Sequence, residues 1–226
     1  VAPFNSIDPV NLPKLCLLVI LSFIGAGFAF SKVDFLKAKR NRPILLAISL
    51  FIALLFLVLI TDGRDIASKF YGTPGRNTGF VAYLSLSFLF FASFVSASHG
   101  LLKKYAMALV STGSILAIYG LFQSRGYDFY EFGNAYGTNV FGSFGNPNFQ
   151  SAFMGITATV SLSLATFSKV KIYFKAALLA VTFLAIYNIS LSSQQGYLTF
   201  AAGFATAITI YLFTSRKQFL GWITLI

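Results

Sequence analysis

Seven apolar runs, each 17 to 19 residues long and divided by polar connections, constrain this chain more than any other feature of its sequence. They are Leu12–Phe30, Ile44–Ile60, Phe80–Ala97, Tyr105–Phe122, Phe149–Phe167, Phe174–Leu191 and Tyr197–Phe213, and an eighth opens near Phe219. A helix needs about 20 mostly apolar residues to cross a hydrocarbon layer about 30 Å thick. A barrel strand needs only about 10, with alternating character, so the runs are too long and too uniformly apolar for strands. Pro13 and Pro43 stand where a helix begins, the place where a missing N–H costs least. The expectation is an all-α, polytopic transmembrane helix bundle with seven full spans and the start of an eighth. Composition agrees: 57% of residues are hydrophobic and 10% charged, against about a quarter charged in soluble domains. That much apolar surface requires lipid as its solvent.

No internal repeat, low-complexity stretch or domain boundary stands out. Residues 1–226 read as a single transmembrane domain, truncated at both ends, because the chain opens on Val1 and stops within an apolar run. No signal peptide precedes the first span. The longest connection, 123–148, reads as an outer-face loop rich in glycine and in aromatic residues that suit the headgroup zone.

The connections are sharply asymmetric in charge. One set holds Lys32, Lys37, Lys39, Arg40, Arg42, Lys103, Lys104, Lys169, Lys171, Lys175, Arg216 and Lys217, with Asp34 as its one acid. The other holds Lys14, Arg64, Lys69, Arg76 and Arg125, balanced by Asp8, Asp62, Asp65, Asp128 and Glu131. The whole net charge of +11 therefore falls on one side. That is the positive-inside pattern, which places the basic connections in the cytoplasm, Val1 outside and one further helix upstream. It also accounts for the basic balance without a nucleic acid partner.

The spans carry almost no ionisable groups: only Lys14 and Lys175 enter them, each in the first turn. Proton pumps, ion-coupled carriers and voltage sensors place such groups at depth, so those classes are disfavoured. A retinal-type receptor needs a lysine in its last helix, and Tyr197–Phe213 has none. The single cysteine, Cys16, permits neither an intrachain disulfide nor a metal cluster, and His99 beside Lys103 and Lys104 reads as a solvated polar residue. No metal and no cofactor is expected.

Polar groups instead collect in the outer connections. The first carries Arg64, Lys69 and the run Tyr71–Gly79, which includes Arg76. The second carries Arg125 and the run Phe141–Phe149, and the third is the short turn Ser192–Gly196. Such turns offer amide, hydroxyl and guanidinium donors to an anion such as a pyrophosphate. The plainer reading stands beside that one. Gly145-Asn146-Pro147-Asn148 is also ordinary turn chemistry, Ser193-Gln194-Gln195-Gly196 is also a polar cap between helices, and Arg76 is also an exposed loop arginine. Small residues such as Gly203 and Ala207 would let helices approach closely.

In order along the chain, four stretches resemble the O-antigen ligase/polymerase family of bacterial membrane proteins. They are Arg76-Asn77-Thr78-Gly79 leading into a span, Tyr119-Gly120-Leu121-Phe122-Gln123 closing one, Gly142–Phe149 opening one and Ser193-Gln194-Gln195-Gly196 opening another. A glycine followed by Asn-Pro-Asn and an aromatic at a span entrance is the most specific of these, and Asp8-Pro9 with Pro13-Lys14 is weakly similar. The resemblance implies a multi-pass protein of the bacterial cytoplasmic (inner) membrane. It implies a glycosyltransferase of polysaccharide and cell-envelope biosynthesis that moves a glycan from undecaprenyl pyrophosphate to an acceptor lipid, glycan or protein. Arg76, Arg125, Asn146, Asn148, Gln194 and Gln195 would contact the substrate, and Gly145, Pro147 and Gly196 would shape the turns. Many ligases of the family have an arginine where this chain has Gln194, and the usual histidine base lies in a later outer loop not represented here. The fragment alone is therefore expected to be inactive. The competing expectations are a transporter or flippase of lipid-linked precursors and a structural membrane scaffold.

Overall fold

The computed structural model describes residues 11–73, 78–97, 99–128 and 137–215. Arg76, Asn77, Asp8, Glu131, Arg216, Lys217, the residues of the outer loop from Phe129 to Tyr136 and the eighth apolar run near Phe219 lie outside them, as does the His99 side chain. Among the described residues the regular structure is helical, with no strand. Nine α-helices follow one another among those residues: α1 (Asn11–Phe30), α2 (Val33–Lys37), α3 (Arg42–Thr61), α4 (Ile66–Tyr71), α5 (Phe80–Ser96), α6 (His99–Ser124), α7 (Pro147–Phe167), α8 (Ile172–Ser192) and α9 (Gln195–Thr214). Each of the seven apolar runs lies on one long helix.

Among the described residues five helical segments are long and apolar enough to cross a membrane: Asn11–Phe30, Lys39–Thr61, Gly100–Ser124, Ile172–Ser192 and Gln195–Thr214. The other two runs fall short for different reasons. α5 has 17 residues, a rise of about 26 Å. α7 has 21 residues but is laced with serine, threonine and amide side chains. The helices also reach past the apolar runs. α6 starts at His99, six residues before Tyr105, so Lys103 and Lys104 lie on the helix and not in a connection. A lysine stem can lie along an apolar surface while its ammonium reaches water, so a basic residue does not end a helix at an interface.

The chain divides into two compact units, Val1–Leu102 and Lys103–Ile226. In the first, α1 and α5 pack side by side and α3 leans on α5. Small residues on one face of α1 (Ser22, Ala26 and Ala29) are buried, and rings close the contact: Phe23 meets Phe88 edge-on at 5.0 Å and Phe30 meets Phe91 at 4.9 Å. α3 has no buried residue at all and touches α5 through Phe56 against Phe80, at 4.8 Å. The connection into α3 is pinned by buried Asn41, whose side-chain amide donates to the Phe35 carbonyl at 2.8 Å.

In the second unit α7 is the hub, packed on both α8 and α9. Its apolar core is Ala117, Met154, Ala158, Ala185 and Ile189, all fully buried, with a second cluster of Val110, Ala165 and Leu178 further along. Polar side chains are built into the same contacts. Ser161 and Thr182 share a hydrogen bond at 2.8 Å between α7 and α8. Gln150 donates to the Asn188 side-chain oxygen at 2.8 Å, and Asn188 donates to the Ala117 carbonyl of α6 at 3.1 Å. Between α7 and α9 the backbones nearly touch, because a Cβ on Gly155 would meet Gly196 and Thr199, and one on Gly203 would meet Thr159. Of the two small residues read in α9 as permitting close approach, Gly203 makes that contact. Small residues bring helices close and hydrogen bonds then form across the gap, as is usual where lipid removes the hydrophobic drive between helices.

Candidate functional site: the amide-rich end of the second unit

Antiparallel order brings the end of α6, the start of α7, the end of α8 and the start of α9 to one end of this unit. The segment 140–148 forms its centre. Val140 donates its N–H to the Leu191 carbonyl at 2.9 Å, tying the segment to the end of α8. The Gln123 side-chain oxygen accepts from the Phe141 and Gly142 N–H groups, both at 2.9 Å, tying it to the end of α6. A 3₁₀ turn then runs over Gly142–Phe144 and closes on Gly145, whose φ of 70° lies in the left-handed region that favours glycine. Asn146 caps α7, its Oδ1 accepting the Asn148 N–H at 2.8 Å, and buried Pro147 is the first helical residue, where no N–H is needed.

The third turn is joined through Ser151. Its hydroxyl donates to the Ser193 carbonyl and accepts the Gly196 N–H at 2.8 Å. Gly196 is buried, and a Cβ there would land on Ser151 and Ile189. One hydroxyl thus fixes where α9 begins relative to α7.

Five of the six residues read from the sequence as substrate contacts come to this end. Arg125 follows α6 directly and is exposed, its backbone N–H bonded to the Phe122 carbonyl at 3.0 Å. Asn148, Gln194 and Gln195 are exposed and Asn146 is half-buried. Asn146 spends its side-chain oxygen on the helix cap, which leaves its NH₂ as the outward-facing group. Arg76, the sixth, lies outside the described residues. Arg64 and Lys69 belong to the first unit, at the end of α3 and on α4. There Arg64 grips Asp62 through two nitrogens, at 2.9 and 2.6 Å, and holds that carboxyl down at about 2.

Five residues that carry this geometry were not singled out as site residues in the sequence: Gln123, Asp128, Gln150, Ser151 and Asn188. The Asp128 carboxylate receives the Tyr119 hydroxyl and the Gln123 amide, the latter at 2.7 Å. It adds an exposed acid three residues along the chain from Arg125, so this end is a mixed surface and not a purely cationic one. Gln150 and Asn188 are fully buried beneath it. The signal was present as two amides within or beside apolar runs, and a search of the spans for charge alone passes over them. Chemically, the end offers a guanidinium and several amide donors for an anion or a sugar, plus one carboxylate able to orient a hydroxyl. Among the described residues no three His, Cys, Asp or Glu side chains gather as a metal site. No family model, curated protein or solved structure matches this chain.

Proposed function

We propose that this chain is part of a bacterial glycosyltransferase of the O-antigen ligase/polymerase type, embedded in the cytoplasmic membrane through seven crossings. It would transfer a glycan from undecaprenyl pyrophosphate to an acceptor lipid, glycan or protein at the outer face. The observation that carries the reading is the meeting of the α6–α7 and α8–α9 connections at one end of the second unit. Gln123 binds the turn before α7, and Ser151 binds the turn before α9. They carry three of the four stretches on which the family resemblance rests.

The division of labour follows from the chemistry. The departing pyrophosphate gathers negative charge, which guanidinium and amide donors stabilise best when they are already in place. Arg125 supplies charge, while Asn148, Gln194 and Gln195 supply neutral donors to sugar or phosphate oxygens. The acceptor hydroxyl needs a general base, which this reading assigns to a part of the protein beyond this chain. Support for transfer over a flippase comes from α7 and α8. Their buried polar groups (Gln150, Ser161, Thr182 and Asn188) bond to one another or to helix carbonyls instead of lining a path.

The test uses the full-length protein in lipid with a lipid-linked glycan. The wild type should release undecaprenyl pyrophosphate as acceptor is glycosylated, and Arg125→Ala and Arg76→Ala should abolish release while membrane insertion stays normal. Translocation without release would establish the flippase instead, and wild-type release from both variants would end the assignment of these arginines. Orientation has its own check. A cysteine at position 134, in a Cys16→Ser background, should react with an impermeant thiol reagent in intact cells.

A further inference from the structure

The first unit holds a cavity that the proposed transfer reaction does not use. It lies where α3 ends and α5 begins, has a volume of about 180 Å³, and is lined by Asp62, Arg64, Ser68, Lys69, Thr78 and Tyr83 among others. Its frame is stiff. Asp65 caps α4 by accepting the Ser68 N–H at 2.8 Å, and α4 ends on Gly72 with φ 87°. Gly72 and Gly79 then bring two stretches of backbone together so closely that a Cβ on Gly72 would lie 2.6 Å from the Gly79 nitrogen. Phe80 closes the base, stacked on Phe70 at 5.7 Å and edge-on to Phe56 at 4.8 Å.

The cavity presents unspent donors. Lys69 Nζ gives one hydrogen to the Asp62 carbonyl at 3.0 Å, and an ammonium has three. Arg64 uses Nε and one terminal nitrogen on Asp62, leaving the other terminal nitrogen available. Both follow the end of α3, where a helix that crossed a membrane would meet the headgroup zone.

A second opening, of about 660 Å³, runs along α3 and α5 and is lined by Pro43, Ile48, Phe51, Leu86 and Phe90. Tyr83 lines both openings, so the polar cavity and the apolar groove meet there. Phe51, Leu86 and Phe90 are 47%, 50% and 57% exposed, so none of the described residues of the unit fills the groove. From Asp62 at the cavity to Ala47 in the groove the chain along α3 rises about 22 Å, a distance that a phosphate with a fully extended long acyl chain can span. A helix docked in the groove would leave the cationic cavity unused; an amphiphile with a phosphate head fills both.

We propose that the first unit binds one glycerophospholipid, with its phosphate against Lys69 and Arg64 and one acyl chain in the α3–α5 groove past Tyr83. The Asp62 carboxylate beside the two cations favours a zwitterionic head, as in phosphatidylethanolamine, over a purely anionic one. The site stands whether or not the second unit takes part in glycan transfer.

Native mass spectrometry of delipidated full-length protein, titrated with palmitoyl-oleoyl phosphatidylethanolamine, tests this directly. The wild type should retain one lipid preferentially. Lys69→Ala should weaken that binding about tenfold by removing a charged contact. Ala47→Trp, which fills the exposed groove without touching the cavity, should weaken it comparably. Diacylglycerol, lacking phosphate, should bind the wild type and Lys69→Ala alike. Equal phosphatidylethanolamine binding by the three proteins would overturn the proposal. Competition by inorganic phosphate with no effect of Ala47→Trp would also overturn it, in favour of a free-anion site. Displacement of the lipid by a lipid-linked glycan at far lower concentration would overturn it in favour of a donor site.

Discussion

The two units are cut from similar apolar sequence yet hold their helices together by different means. In the first, α1 and α5 meet through rings and a few small residues, and α3 keeps every residue at least partly exposed. In the second, α7 buries nine residues, among them Gln150, Ser151, Thr157 and Ser161, and its backbone lies almost against that of α9. Lipid tails are as apolar as leucine, so apolar side chains alone give little reason for one helix to prefer another over lipid. Close backbone approach and hydrogen bonds across the gap supply that reason. The second unit has both and the first has little of either. The first unit is accordingly the one with a groove left open.

Three substitutions would break or sharpen that contrast. The largest effect should come from Gly196→Ala, since its Cβ would land on Ser151 and Ile189 and force α9 away from α7. Overpacking of this kind costs roughly 1–3 kcal/mol. Thermal unfolding of the full-length protein in detergent should show a clear drop, whereas Gly27→Ala in the first unit, with open space at its Cβ, should show none. An unchanged midpoint for Gly196→Ala would refute the tight α7–α9 contact.

Next is the buried amide pair. Asn188→Leu leaves the buried Gln150 amide without its partner and removes the second hydrogen bond on the Ala117 carbonyl, at a cost of about 1–3 kcal/mol. Replacing both amides, as Asn188→Leu with Gln150→Leu, should recover part of that loss, because Gln150 already buries a side-chain oxygen without a hydrogen-bond partner. A double-mutant cycle measures the coupling, and strict additivity would mean the two amides act separately.

The smallest effect belongs to the first unit. Asp62→Asn removes an ion pair at an aqueous end, where screening leaves little net gain. Its pH dependence has a definite sign. Arg64 holds the Asp62 carboxyl at about 2, below its ordinary 3.8, so the stabilisation is complete above pH 3.8 and fades as pH falls through about 2. Wild type and Asp62→Asn should therefore differ slightly at pH 5 and converge near pH 2 in unfolding experiments. A difference that grew on acidification would contradict the pairing.

The helices were legible because their cause is local. An apolar run of fixed length in lipid must satisfy its own backbone hydrogen bonds, and a helix does so within the segment. Pro43 marked the start of α3 within a residue, and Pro13 stands two residues inside α1. The start of α6 was missed by six residues because charge was taken as the end of the helix, while lysine extends it into the interface. For the candidate site, the turns at 142–148 and 193–196 were legible as turns, from Gly145, Pro147 and Gly196. Their mutual contact was not, because it depends on Gln123 and Ser151 reaching across between helices. A partial signal did exist. Gln150, Ser151, Met154, Thr157, Ala158, Ser161 and Ala165 form one small and polar stripe at helical spacing, which marks the face of α7 that other helices cover.

By itself, the sequence determined that this chain is helical, that several of its helices are long and apolar enough to cross a membrane, and where its basic residues fall, since each follows from composition and spacing along one segment. Only the tertiary structure decided that α7 is the hub, that the Asn-Pro-Asn and Gln-Gln turns share one end of the second unit, and that α3 stands open beside a polar cavity. Those outcomes depend on which surfaces meet, and in lipid that choice rests on a few hydrogen bonds and close backbone approaches between residues as much as 71 positions apart.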